Sequence, residues 1–257
     1  MTLERAISSF ILHNRQQSDG EEAAQSSAIA HSLELLSEYL PRAATLNDIR
    51  PDALRDFLAR WYLERAGSDL FSEPTGSANS SSPAGGLAPR DIKSSKAVPE
   101  PKVLINSLAQ FFKWTDEQFA SGLTVECLPV LTELSESLPR ALTICSVLSN
   151  ELAERGGAFS FPEFLTSFEE GGHSEYDIGE PGETGVIEGY FRIIRIEGAA
   201  IEAEEMISER RIRPVLFPAR AAEHLAEDYI INLELIRAQQ GWQISACGFC
   251  YPPGTKM

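Results

Sequence analysis

The chain has 257 residues, 43% of them hydrophobic, four cysteines and a formal net charge of -16. That length suits one large domain or two modest ones, each with a real core. No apolar run approaches the roughly 18 residues of a membrane span. The first residues are amphipathic where a signal peptide would be continuously apolar, and so few cysteines do not make the disulfide framework of a small secreted domain; a cytoplasmic protein with Cys127, Cys145, Cys247 and Cys250 as thiols is expected.

Taken in chain order, Leu3, Ala6, Ile7, Phe10 and Ile11 fall at helical spacing and predict a first helix ending before Ser18-Asp19-Gly20. Ile29, Leu33, Leu36 and Leu40 make one stripe of a second, over about Ala23 to Leu40, which Pro41 stops. Pro51 suits the first turn of a third helix, where its missing N–H has no intrahelical partner anyway. Leu54, Phe57, Leu58 and Trp61 supply its buried face before it fades near Gly67. Residues 67–100 hold 8 Ser, 4 Gly and 4 Pro, too little apolar surface to offset the entropy of ordering, and are expected to be a disordered loop. A fourth helix begins near Pro101 with Leu104, Leu108, Phe111, Phe112 and Phe119 on its apolar face.

A helical segment follows, with Leu138, Leu142, Cys145, Leu148 and Leu152 at helical spacing before Gly156-Gly157. Phe159, Phe161, Phe164 and Phe168 form an aromatic cluster, and a Gly- and Glu-rich loop occupies 169–185. Strands are expected at Val186–Ile196, Ile201–Ile207, Ile212–Phe217, Tyr229–Ile236 and Trp242–Tyr251, with a short helix near Ala219–Ala226 and a hairpin turn at Gln239-Gln240-Gly241. Such strands close into a small barrel or form a sheet packed on helices.

Ser27 to Leu36 in the second helix, Leu46-Asn47-Asp48-Ile49-Arg50 leading into Leu54-Arg55-Asp56-Phe57-Leu58, and Leu104 to Trp114 in the fourth carry a resemblance. In these pieces the first 120 residues resemble the N-terminal, SAM-like core-binding domain of tyrosine recombinases and phage integrases, which forms half of a clamp around duplex DNA. The resemblance implies a four-helix SAM-like bundle over 1–120; with the spacing of the remainder, an α+β chain is expected, with a helical connector over 121–170 and a small, mostly antiparallel β domain over 171–257. It does not extend to catalysis. The family's His-x-x-Arg motif is missing, because Gln16, Glu34, Tyr176 and Glu227 stand three residues after the histidines. Tyr251, near the C-terminus, has no cationic partners in sequence to stabilise a pentacoordinate phosphate and is read as a strand-end tyrosine.

Residues 1–120 hold 12 Lys and Arg against 16 Asp and Glu, a net of -4, and residues 121–257 hold 10 against 22, a net of -12. Any DNA contact therefore belongs to the first half. Its candidates are Arg50, Arg55, Lys93, Lys96, Lys102 and Lys113 for phosphate, with Asn106 or Gln110 reaching a base edge. Asp48, Asp52 and Asp56 interleave with the arginines, so local ion pairing is the competing state. Cys247-Gly248-Phe249-Cys250 is a C-x-x-C, but in a straight strand its thiols point to opposite faces, and it is read as buried thiols, not a metal site. The acidic loop with Glu169, Glu170, Glu175, Asp177, Glu180 and Glu183 lacks EF-hand spacing, and His173 beside it has no nucleophile to serve. No cofactor is implied. Two functions follow: a non-catalytic protein associated with duplex DNA through residues 1–120, or a protein-interaction module whose acidic β domain meets a basic partner.

Overall fold

The apolar stripes of the first half become the buried faces of helices. In a computed structural model that describes residues 1–17, 23–71, 98–154 and 185–257, Leu3, Ala6, Ile7 and Phe10 of α1 (Leu3–Gln17) pack inward, as do Ile29, Leu33 and Leu36 of α2 (Ala23–Tyr39). The turn after α2 is held by Asp48, whose Oδ2 accepts from the Thr45 backbone N–H (2.7 Å) and hydroxyl (2.8 Å). Pro51 then opens α3 (Pro51–Asp56). The chain continues through a π-helical segment, Phe57–Tyr62, into α4 (Leu63–Phe71). The wider π turn lets Phe57, Leu58, Ala59 and Tyr62 all lie buried. The helix passes through Gly67, where it was expected to fade, since one interior glycine costs only about 1 kcal/mol.

Residues 72–97, with most of the Ser/Gly/Pro stretch, lie outside the described residues, as do Ser18–Gly20, the aromatic cluster at 159–168 and all of the acidic loop up to Thr184. Helix α5 (Pro101–Phe119) buries Leu104, Leu108, Phe111 and Phe112 as its spacing predicts. Phe119 does not join them. It is the last helical residue, 39% exposed, and meets only the edge of Trp114 at 5.4 Å before left-handed Ala120 turns the chain away.

Helix α6 runs from Leu123 to Glu154 as one continuous element and starts fifteen residues ahead of the predicted apolar stripe, which begins at Leu138. Asp116 caps its start by accepting from the Leu123 N–H (2.9 Å) and Thr124 N–H (3.0 Å). Pro129 and Pro139 lie inside it. Each costs about 3 kcal/mol in a helix interior. Against that, Cys127, Leu131, Leu134, Leu138, Ala141, Cys145, Leu148 and Leu152 are all buried along one stripe at alternating spacings of four and three, and each fully buried side chain of the Leu class contributes about 1.5–3 kcal/mol. Both prolines sit off that stripe, so the helix bridges them.

Five strands follow: β1 (Val186–Glu197), β2 (Ala200–Glu205), β3 (Arg211–Leu216), β4 (Ile230–Ala238) and β5 (Gly241–Tyr251), with a short α7 (Ala219–Ala222) between β3 and β4. They close into a barrel in the order β1-β2-β3-β5-β4, antiparallel except where β3 meets β5. This is the strand order of a five-stranded Greek-key barrel of the OB type. Phe191, Ile193, Ile201, Ala203, Ile212, Val215, Leu233 and Leu235 are buried in it. Tyr229 and Ile230, at the start of β4, and Tyr251, at the end of β5, are buried as well, because α6 and α4 pack against β5. The Tyr229 hydroxyl donates to the Ser137 carbonyl of α6 at 3.1 Å. Among the described residues, no helix is long and apolar enough to cross a membrane.

The barrel closes where Gly241, at φ 137°, passes the backbone of Pro214, and a Cβ there would lie 2.6 Å from the Pro214 carbonyl oxygen. Gly198, in the β1–β2 turn at φ 63°, has nothing within 4 Å of the same position. Gly241→Ala is therefore expected to lose about 2–3 kcal/mol in urea unfolding, the sum of conformational strain and a forced shift at the seam, and Gly198→Ala only about 1 kcal/mol.

Candidate functional site

Of the eight residues expected to meet DNA, the six that are described do not form one face. Lys102, Asn106, Gln110 and Lys113 are all exposed on α5, and at 100° per residue they fall within an arc of about 80° and a length of about 16 Å. No carboxylate among the described residues pairs with either lysine, although Glu117 continues the same stripe. Arg50 lies elsewhere, exposed at the N-cap of α3. Arg55 is engaged: its two terminal nitrogens donate to the two carboxylate oxygens of Glu133 on α6, the first at 2.8 Å. That hydrogen-bonded pairing raises the Arg55 pKa and lowers that of Glu133. Lys93 and Lys96 lie outside the described residues.

Three more cations near these helices are paired with acids. Arg60 meets Asp56 at 3.0 Å, Arg65 meets Glu38 at 3.0 Å while lying over the Trp61 ring, and Lys256 approaches Asp52 at 3.8 Å. A shallow groove of about 480 Å³ between α1 and α2 is lined by Glu4, Glu34, Glu38 and Arg42 with Ser37 and Leu40. Three carboxylates against one guanidinium do not make it a phosphate site.

Tyr251 acquires partners that sequence did not reveal. Its hydroxyl donates to Glu64 Oε1 of α4 at 3.1 Å, and its ring lies 6.1 Å from that of Tyr190 on β1. Burial drives the Tyr251 pKa far up, helped by the Glu64 charge. Burial also raises the Glu64 pKa, against the Tyr251 hydrogen bond and the charge of Arg60, which pull it down. Arg60 is itself paired with Asp56. The cluster is thus a buried joint between α4 and the barrel, and it has no set of convergent cations for phosphoryl chemistry.

The C-x-x-C is rearranged by a bulge. Leu233 pairs with Cys247 and Ile231 with Cys250, so three steps on β5 oppose two on β4. The two thiols consequently share a face instead of alternating. Cys145 of α6 joins them, its Sγ accepting from the Cys250 N–H at 3.0 Å. Even so, no group of three or more His, Cys, Asp or Glu among the described residues has metal-binding geometry. Burial pushes Cys127 up to about 11 and Cys145 up to about 12, and raises Cys247 and Cys250 as well. These are poorly nucleophilic thiols.

One arrangement does not show in the apolar pattern of the strands. On the outward face of the barrel, Arg192, Glu204 and Arg211 are direct cross-strand partners on β1, β2 and β3. Arg195, Glu202 and Arg213 make a second row beside it, Arg195 paired in register with Glu202 and Arg213 within 3.8 Å of Glu202. Arg192 reaches Glu204 at 2.6 Å, and Arg211 reaches Glu202 at 3.5 Å and Glu204 at 3.9 Å. The signal was the alternation Glu202-x-Glu204 and Arg211-x-Arg213 within strands. No family model, no curated protein and no solved structure matches the chain.

Two measurements check these clusters. A folded-state Glu64 pKa above its unfolded value means that its favourable contribution is complete below the unfolded pKa and is lost as pH rises through the folded one. Glu64→Gln is therefore expected to flatten the pH dependence of urea unfolding between about pH 4 and 7 and to cost less than about 1 kcal/mol at neutral pH, since the amide still accepts from Tyr251. A soluble disulfide reagent at neutral pH is expected to label none of the four cysteines in the native protein within minutes and all of them in denaturant.

Proposed function

We propose that the protein is a non-catalytic interaction module that engages a protein partner in the cytoplasm, its helical half a SAM-like bundle of the integrase core-binding kind without that domain's grip on duplex DNA. One observation carries this: the arginines of α3, the π-helical segment and α4 are matched to carboxylates, Arg55 to Glu133, Arg60 to Asp56 and Arg65 to Glu38. A DNA clamp needs a contiguous cationic face whose charges are free to release counterions. The non-catalytic part rests on Tyr251, the one hydroxyl placed as a recombinase nucleophile would be, whose donor is taken up by Glu64.

A second reading, DNA association through residues 1–120, keeps one supporting observation, the exposed Lys102 and Lys113, which have no ion pair among the described residues and flank Asn106 and Gln110 on α5. The two separate in a gel-shift titration of the full chain with mixed-sequence duplex DNA at low salt. No shift is expected. A shift abolished in K102A/K113A, with a log–log salt slope of about -2 for two phosphate contacts, would establish the DNA reading instead.

A further inference from the structure

We infer that the outward face of β1, β2 and β3 is a docking surface for a short acidic segment of a partner protein. The inference rests on the protein-partner function proposed above and supplies the partner's chemistry at one face. It differs from what net charge suggests: although residues 121–257 carry a net of -12 (10 Lys and Arg against 22 Asp and Glu), this part of the barrel presents cations.

Four arginines surround two glutamates in the rows Arg192-Glu204-Arg211 and Arg195-Glu202-Arg213, and at the rim the exposed Glu197 pairs with Arg195 at 2.7 Å, which leaves Arg211 and Arg213 as the open pair. Their depths differ. The side chains of Glu202 and Glu204 are 15% exposed, whereas those of Arg192, Arg195, Arg211 and Arg213 are 40%, 65%, 64% and 75% exposed. An approaching ligand therefore meets guanidinium groups standing above recessed carboxylates. The contacts of Arg211 and Arg213 with Glu202 and Glu204 are long, 3.5–3.9 Å, and leave most of the five N–H donors on each guanidinium for a carboxylate to accept from in a fork. Among the described residues the helices pack on β5 and leave this face uncovered.

Spacing and charge together select the occupant. The two rows are two residues apart along β2 and β3, about 6.6–6.8 Å, which is also the repeat of alternate side chains in an extended peptide. A peptide with acids at every second position places one carboxylate per row. Because the barrel is closed, it offers no free strand edge here, and recognition runs through side chains. Single-stranded nucleic acid fits less well. No aromatic ring is exposed on these strands for base stacking, Phe191 being buried and Tyr190 half-buried against Tyr251.

The test is fluorescence anisotropy of the full chain at low ionic strength with three labelled probes: a short peptide alternating Glu and Ser, its Lys counterpart, and an oligothymidine of equal length. Saturable binding of the Glu/Ser peptide alone is expected, weakened by added salt and weakened about tenfold or more in R211A/R213A. Both positions are exposed, so that variant is expected to unfold thermally as the parent does. Should it not fold, R211K/R213K, which keeps charge and loses the fork, is expected to bind the peptide more weakly than the parent. K102A/K113A is expected to bind it unchanged. Absence of peptide binding, binding indifferent to both arginine variants, or tighter binding of oligothymidine or the Lys peptide would each overturn the inference. In the first two cases a negative gel shift with duplex DNA would still leave the protein-partner function standing.

Discussion

The buried stripe of α6 is the constraint on which the rest of the molecule depends. Helix α5 packs against this helix, and so does β5. The side chains that fill the space between them, from Leu131 and Leu134 through Cys145 to Leu152, belong to one continuous apolar cluster with Phe111 of α5 and Ile231 of β4. Polar links reinforce it at three places. Asp116 fixes where the helix starts, Arg55 ties its solvent side to α3, and the Tyr229 hydroxyl reaches its backbone from the barrel. The interior prolines are tolerated because the stripe is buried on both sides of them.

Much of the architecture was legible from periodicity. Most apolar residues of α1, α2, α5 and the expected strands fall where packing needs them, with Phe119, Val186 and Ile207 left exposed, and turn signals at Pro51 and Gln239-Gln240 mark real boundaries. What sequence obscured came from interactions that local spacing does not encode. The spacing marks the apolar stripe of α6 only from Leu138, although the four-three alternation starts at Cys127 and runs straight through Pro129 and Pro139. The β5 bulge is invisible in the string Cys247-Gly248-Phe249-Cys250 until β4 is laid beside it. Glu64 and Tyr251 are 187 positions apart, and only closure of the barrel against α4 brings them together.

Charge was harder to read than hydrophobicity for the same reason. A net charge of -16 describes the chain but not any face of it. Arg55 looked available and is locked to a carboxylate 78 positions away, while Arg211 and Arg213, in the more acidic half, stand proud of the surface because β2 supplies the glutamates beneath them. Cross-strand register decides whether such charges cancel in place or point outward. Here, the row pattern keeps the anions low and the cations high.

The placement of β5 shapes how the chain must assemble. It is the last strand in sequence, yet it completes the barrel on two sides and covers a face of α6 that is made about a hundred residues earlier. Until residue 251 has been synthesised, that face and the inner sides of β3 and β4 have no cover. Folding is therefore dominated by long-range closure, which is slow relative to helix formation. The emerging chain carries an apolar helix through about the last hundred residues before β5 is complete, in need of shielding by a chaperone or by transient burial against α5.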